Sequence, residues 1–199
     1  SDSGHITLDA DRHIAINAAV TVSSGSGTVY VLSGADTDVD AQVSSANGDT
    51  LFEAGDEFRQ TALIRSTAGD IGIIAANSVT QAVNGDVTTT TGDVLVQATA
   101  GNWTMNGGAT ITVGGGDVLG TAGNNITLGV ISATNAASNR IALNAVAGSI
   151  TDANSASINV EETVAGATTS LSLRAGTIIG GAGGTTSSSN NQALDINVD

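Results

Sequence analysis

The sequence predicts an all-β fold, a right-handed parallel β-helix of about nine rungs, in which a rung is one turn of the coiled chain. Three observations predict it: a seven-residue frame that recurs along the chain, apolar residues that alternate within the frame, and a composition rich in glycine and free of proline. Such self-similarity is typical of stacked units, none of which can bury its apolar face alone.

The frame returns at steps of 21 to 24 residues, apart from one step of 30. Most frames open with a glycine, which suits a sharp turn of the chain. The nine frames start at Gly4, Gly27, Gly48, Gly69, Gly92, Gly116, Asn139, Thr169 and Gln192. We interpret the long step as an ordinary step of 23 residues with a seven-residue insertion.

Each frame has the alternation of a β-strand. Its third, fifth and seventh positions are apolar or small, as in Ile71, Ile73 and Ala75, and the positions between them are mostly polar. A period of two places these sets on opposite faces of a strand. We therefore expect the nine frames to stack as one sheet with one inward column, formed by Ile6, Val29, Ile71, Val94, Val118, Ile141 and Leu171.

The rest of each unit has room for two more short strands, so that three strands make one rung. In the fifth unit these are the stretches NWTM and ATITV. No pattern of period 3.6 marks a helical crossover. Hairpin loops would give an antiparallel sandwich, which ranks second because every frame repeats in the same direction and phase. The uneven bends favour a right-handed coil, since left-handed coils show stricter hexapeptides.

The composition is consistent with a buried, continuous ladder of backbone hydrogen bonds between strands. Proline is absent, as expected where every strand donates hydrogen bonds to its neighbours, and the 40% of hydrophobic residues is typical of a folded chain. Neither end shows a polar cap, and no signal peptide or transmembrane stretch is visible. We expect residues 1–199 to be a single β-helix segment excised from a much longer repeat protein.

The charge of the chain restricts the classes of partner that it can be expected to bind. The chain has five arginines, no lysine, no cysteine and a formal net charge of −14. Nucleic acid binding needs basic patches, so no nucleic acid partner is expected. Anionic membrane surfaces are disfavoured for the same reason, and no membrane insertion is expected.

The run NITLGVISATNAASNRIALNAVAGSITDANSASINVEE, followed by TSLSLRAGTIIGGAG, resembles the repeats of large bacterial exoproteins of the filamentous-haemagglutinin type. The match is best from Asn124 to Gly184. The resemblance implies a secreted β-helical shaft of an adhesin or fibre protein at the bacterial cell surface. It implies as partners the neighbouring repeats of the same long chain, like chains, and glycans or proteins of a host surface or matrix.

The alternative function is a carbohydrate-active enzyme, such as a polysaccharide lyase or hydrolase. Such an enzyme needs a groove with acids beside a basic residue and aromatic platforms. Trp103 lies where a second strand contributes an inward residue, and Tyr30 belongs to another unit. His5 and His13 are predicted to be exposed and have no third metal ligand. We therefore expect a structural protein with no catalytic residue.

The second frame position is aspartate in four successive units, Asp49, Asp70, Asp93 and Asp117. Stacked in register, these carboxylates would form a ladder with a spacing of about 4.8 Å. Like charges at that distance repel by roughly 1 kcal/mol per pair near a wet surface. Two interpretations stay open: ordinary turn chemistry, in which Asp bonds local amides, and a ladder that binds Ca²⁺ between rungs.

The fourth frame position should face outward, yet it holds Tyr30, Leu51, Leu95 and Leu119. An apolar stripe along a shaft favours a lateral contact with another surface. The alternative is a set of scattered exposed apolar residues, which are normal on proteins. Glu161 and Glu162 fall in the insertion and are predicted to lie on a protruding loop, where binding function tends to sit.

Overall fold

The structure, a computed structural model, describes residues 4–23, 25–134, 139–154, 157–164, 169–180 and 194–198. These residues form strands joined by bends, with no helix among them. The strands make three parallel sheets, and the chain visits the three sheets in turn. The predicted all-β solenoid is confirmed.

The first sheet contains the frame strands. They are β1 (Ile6–Ala10), β4 (Val29–Ser33), β7 (Thr50–Ala54), β10 (Ile71–Ala75), β13 (Val94–Ala98), β16 (Val118–Ala122), β19 (Arg140–Ala145) and β22 (Ser170–Ala175). The second sheet contains β2 (Ile14–Ile16), β5 (Thr37–Val39), β8 (Phe58–Gln60), β11 (Val79–Gln81), β14 (Trp103–Met105), β17 (Ile126–Leu128) and β20 (Ile150–Asp152).

The third sheet contains the last strand of each rung. It is built from β3 (Val20–Val22), β6 (Val43–Ser45), β9 (Ile64–Ser66), β12 (Val87–Thr89), β15 (Thr110–Val113), β18 (Val130–Ala133), β21 (Val160–Glu162) and β23 (Ile196–Asn197). All pairings between these strands are parallel, so each rung lies directly on the one before it.

The predicted inward column is confirmed. Ile6 pairs with Val29, and the register continues through Ile71, Val94, Val118, Ile141 and Leu171. Thr50 completes the column in the third rung. Side chains of the middle rungs are fully buried, whereas Ile6 and Leu171 are only half-buried because each has a neighbouring rung on one side in the first sheet.

The ninth frame does not join the first sheet, so the prediction of nine stacked frames is wrong. Eight frame strands pair in that sheet, and Ile196 of the last frame pairs instead with Val160 in the third sheet. Alternation fixes which side chains face inward, but it does not fix which sheet a strand joins. Within the residues that the structure describes, the sheets of eight, seven and eight strands therefore make fewer than nine rungs.

The loop predicted at Glu161 and Glu162 is also wrong. These residues belong to β21, where Glu161 pairs with Ser132 and Glu162 pairs with Ala133. Glu162 is turned inward and is only 8% exposed. The strands of the long unit still pair in register with those of the rung before them, so the ladder is intact.

The core is one apolar cluster that runs the length of the coil. Valine, isoleucine and alanine dominate it, as a narrow interior with strands on all sides requires. The right-handed sense of the coil stays a prediction. It rests on the uneven bends between the strands and on the lack of strict hexapeptides in the sequence.

Candidate functional site

The outer face of the first sheet carries two columns that the sequence singled out. Its fourth frame positions pair directly from rung to rung, from Tyr30 to Leu51, Gly72, Leu95 and Leu119. All five are half-buried rather than fully exposed. The apolar column is therefore continuous over five rungs, apart from the missing side chain at Gly72.

The four aspartates stand beside this column, one residue before each strand. The carboxylate of Asp49 accepts the backbone N–H of Asp70 at 2.9 Å, and Asp70 accepts that of Asp93 at 2.8 Å. Asp93 accepts the N–H of Asp117 at 2.7 Å, and Asp117 accepts that of Arg140 at 2.8 Å. Each side chain thus bonds the next rung rather than its own bend, which differs from the predicted turn chemistry.

This arrangement lengthens each backbone ladder by one residue. The carbonyl oxygens of the same residues already accept from the preceding strand, as when the N–H of Thr50 donates to Asp70 at 2.8 Å. The N–H groups of Asp70, Asp93 and Asp117 also point back along the rod, and the carboxylate Oδ1 of the aspartate in the preceding rung accepts them. A buried or half-buried N–H left without a partner would cost stability.

The same device recurs at the other bends. The Oδ1 of Asn102 accepts the N–H of Asn125 at 3.0 Å, and Asn125 accepts that of Ser149 at 2.9 Å. In the third bend, Asp86 accepts the N–H of Thr110 at 2.9 Å. Asparagine serves as well as aspartate, so the ladder geometry does not itself require a charge.

The four aspartates differ in the contacts that their second carboxylate oxygen makes. In Asp117 it lies 3.5 Å from Nε of Arg140. In Asp49, Asp70 and Asp93 it has no hydrogen bond or ion pair within the part of the chain that the structure describes. Three unpaired carboxylate oxygens therefore stand in a row along the rod.

The described residues include no group of three or more histidine, cysteine or acidic side chains that could hold a metal ion. The hypothesis of Ca²⁺ between rungs stays a prediction. The free oxygens of neighbouring aspartates would be its ligands, and the bound Oδ1 atoms would keep them in place.

Two shallow cavities lie along these columns and share Asp49 and Leu51. One has a volume of about 340 Å³ and is lined by Asp49, Thr50, Leu51, Asp70, Ile71, Gly72, Asp93, Leu95 and Leu119. The other has a volume of about 450 Å³ and is lined by His5, Thr7, Thr28, Val29, Tyr30, Asp49 and Leu51. We call the two together the first-sheet groove. Its floor is apolar and one wall is acidic.

The first-sheet groove has little of what the enzymatic alternative needs. Asp49, Asp70 and Asp93 line the cavity of about 340 Å³, but neither set of lining residues contains an arginine. Tyr30 is the one phenylalanine, tyrosine or tryptophan among these lining residues. Its hydroxyl donates to Oε2 of Glu53 at 2.5 Å, and this hydrogen bond raises the pKa of Tyr30, with burial and the Glu53 charge adding to the shift.

An ion-pair network lies on the outer face of the second sheet. Nη1 of Arg59 is 3.1 Å from Asp36 and 3.3 Å from Asp38, and its Nη2 pairs with Glu57. His13 lies 3.4 Å from Asp38. The hydrogen bonds to Asp36 and Asp38 and the charges of Glu57 and Asp36 raise the pKa of Arg59. The sequence analysis did not bring these residues together, because they come from three rungs.

The histidines do not form a joint site. Nδ1 of His5 lies 2.9 Å from the hydroxyl of Thr28, on the first sheet, whereas His13 faces Asp38 on the second. Both are exposed, as predicted.

Trp103 is fully buried, which confirms its predicted place in the core. Its indole Nε1 donates to Gln81 at 2.8 Å, and Gln81 donates to Gln60 at 3.3 Å. Both glutamines are buried at inward positions. Sequence reasoning missed them, because a polar residue within an alternating pattern is assigned to the outer face.

Comparisons with known protein families, curated proteins and solved structures found no match. Among the described residues, no helix has the length and apolar character needed to cross a membrane.

Proposed function

We propose that this chain is a structural shaft segment of a secreted or cell-surface bacterial adhesin or fibre protein. The observation that carries the proposal is the unbroken parallel register of all three sheets. A rod whose rungs are joined by continuous ladders and one core resists bending and holds outward side chains at fixed spacings. These properties suit a spacer that presents binding surfaces away from a cell.

The proposal also draws on the resemblance of the run from Asn124 to Gly184 to filamentous-haemagglutinin-type repeats. Neighbouring repeats or like chains would then continue the coil at its ends, where Ile6 and Leu171 are half-buried. Glycans or proteins of a host surface or matrix would be the ligands of the complete protein.

Location is the property to test first. Antibodies raised against the recombinant chain should label intact, unpermeabilised cells of the source organism, and external protease should remove the label. Labelling only after permeabilisation would contradict an extracellular shaft. A matched antibody against a cytoplasmic protein of the same cells controls for leakage.

A second measurement separates a shaft from the enzymatic alternative. The purified chain should release no new reducing or unsaturated ends from a panel of acidic and neutral polysaccharides. Release that disappears when both Asp70 and Asp93 are replaced by Asn would favour the enzyme instead.

A further inference from the structure

The first-sheet groove combines two features that point to one kind of occupant. Leu51, Leu95 and Leu119 form a floor of apolar side chains that are only partly covered. Asp49, Asp70 and Asp93 stand along one wall, each with one oxygen that the described part of the chain leaves unpaired. An occupant must therefore be apolar on one side and cationic beside it.

The carboxylates are held in place before any ligand arrives. Each Oδ1 is fixed by a backbone N–H of the next rung at 2.7–2.9 Å, so the free oxygen has little freedom to lose. A preorganised row of charge gives up less entropy on binding than flexible surface acids do. The chain itself cannot neutralise the row by a lysine, because it has none.

The spacing of the row selects the shape of the occupant. Successive rungs are about 4.8 Å apart. The turns of an α-helix are about 5.4 Å apart, so basic residues at i, i+3 or i+4, and i+7 would follow the row closely. Alternate residues of an extended peptide lie about 6.8 Å apart, so their side chains would not stay aligned with the aspartate row.

We propose that the first-sheet groove binds a basic amphipathic helix of a partner protein, laid along the rod axis. The apolar face of the helix covers the leucine floor, and its lysines or arginines face Asp49, Asp70 and Asp93. The stems of such side chains can lie on apolar surface while their charged ends reach the carboxylates. Helices docked in apolar grooves are a common mode of peptide recognition.

The length of the groove sets the length of the helix. Its lining extends from Thr7 in the first rung to Leu119 in the sixth. Five steps of about 4.8 Å give about 24 Å, which corresponds to about 16 helical residues.

A second copy of this chain is a poor occupant. Each copy carries a formal net charge of −14, and two facing grooves would bring two aspartate rows together. The inference goes beyond the proposed function and does not rest on it, because the groove is a property of the rod wherever the protein is located.

The test uses a fluorescent 16-residue peptide with leucines on one helical face and lysines beside them, and a scrambled peptide of identical composition. Fluorescence anisotropy should show that the patterned peptide binds more tightly than the scrambled one, with an affinity that falls as salt screens the charges. Since the chain is all-β, circular dichroism should show helical signal appearing when the patterned peptide is mixed with it.

Two groove variants and one control variant locate the site. Asp70→Asn with Asp93→Asn removes two charges but keeps the acceptor for the next N–H, and should lower the affinity about tenfold. The control, Asp11→Asn with Asp56→Asn, removes the same charge from exposed bends that line neither cavity. It should bind like the parent. Leu95→Thr should weaken binding by making the floor polar.

Three results would overturn the proposal. The first is equal binding of patterned and scrambled peptides, which indicates non-specific attraction to an acidic rod. The second is an equal loss of affinity in the groove and control double variants. The third is a self-association, seen in sedimentation, that Leu95→Thr abolishes, because the groove would then be filled by a second copy.

Discussion

At the scale of single residues, the packing of the core depends on a glycine at one inward position. Gly120 occupies an inward position that holds Ile73, Val96 and Leu143 in other rungs. A Cβ at Gly120 would lie 2.2 Å from Cζ3 of Trp103. The indole of Trp103 therefore fills the space that glycine leaves, and the two residues form one packing unit across two sheets.

Replacing Gly120 by alanine should destabilise the fold by about 1–3 kcal/mol, because a packed core cannot absorb the extra methyl group. Gly72 is the matched control. A Cβ there would meet only the side chain of Leu51, with Cδ1 at 2.7 Å, which is the flexible end of a half-buried side chain. Gly72→Ala should change stability by no more than about 0.5 kcal/mol. Urea denaturation of both variants measures the difference, and equal effects would contradict this account.

Asp36 makes stability depend on pH. The backbone N–H of Glu57 donates to it at 3.2 Å, and Arg59 lies beside its other oxygen. These contacts, the backbone hydrogen bond first, hold the pKa of Asp36 below its ordinary value of 3.8. Its contribution to stability is therefore complete above the unfolded-state pKa and is lost as the pH falls through the lower folded-state value.

Asp36→Asn should accordingly melt with a weaker pH dependence than the parent below pH ~4. Melting temperatures measured between acidic and neutral pH provide the test. Asp11→Asn, an exposed change of the same charge on the preceding rung, serves as the control. If both variants give the same profile as the parent, the Asp36 contacts do not contribute.

At the scale of elements, the aspartate row works as an extension of the first sheet. Asp93→Ala removes the acceptor for the N–H of Asp117 and should cost about 1 kcal/mol. Asp93→Asn keeps an acceptor oxygen, as Asn102 does at another bend, and should cost less.

The Asp93→Asn variant also tests the Ca²⁺ hypothesis. Because a ligand that binds only the folded form stabilises it, chelator should lower the melting temperature of the parent if Ca²⁺ binds, and should lower that of Asp93→Asn less. Melting midpoints unaffected by chelator and by added Ca²⁺ would leave only the backbone role.

The strands of the first sheet could be predicted because a seven-residue frame carries a strong alternation. The strand Val160–Glu162 could not be predicted, because Glu162 faces inward although glutamate is normally a surface residue. The extra residues of this unit also conceal the register of the strand. The groove was predicted as two separate columns. The structure added which carboxylate oxygens the next rung uses and which of them stay unpaired within the described residues.

At the scale of the whole molecule, the register of the first sheet does not depend on the length of the repeating unit. Steps between frames range from 21 to 30 residues, yet the eight strands of the first sheet pair without a break. Insertions in the bends therefore leave the outward columns aligned. The sequence predicted this regularity from the constant phase of the frame.

Local stability should fall towards the two ends of the isolated chain. Strands β10 and β13 are paired on both sides and have fully buried inward residues, whereas β1 and β22 are paired on one side in the first sheet. Hydrogen exchange followed by mass spectrometry should show weaker protection in Ile6–Ala10 and Ser170–Ala175 than in Ile71–Ala75. Uniform protection would indicate that the ends are covered, for instance by end-to-end association.

The hydrogen bonds between rungs all run along the rod axis, and this has a mechanical consequence. Tension applied to the two ends loads successive rungs in series, so the weakest terminal rung yields first while the others stay folded. A released unit of 23 residues extends to roughly 80 Å, whereas it occupied about 4.8 Å in the stack. Under load the rod would lengthen in discrete increments, one for each unit, and each of them dissipates work and lowers the force on whatever its far end holds.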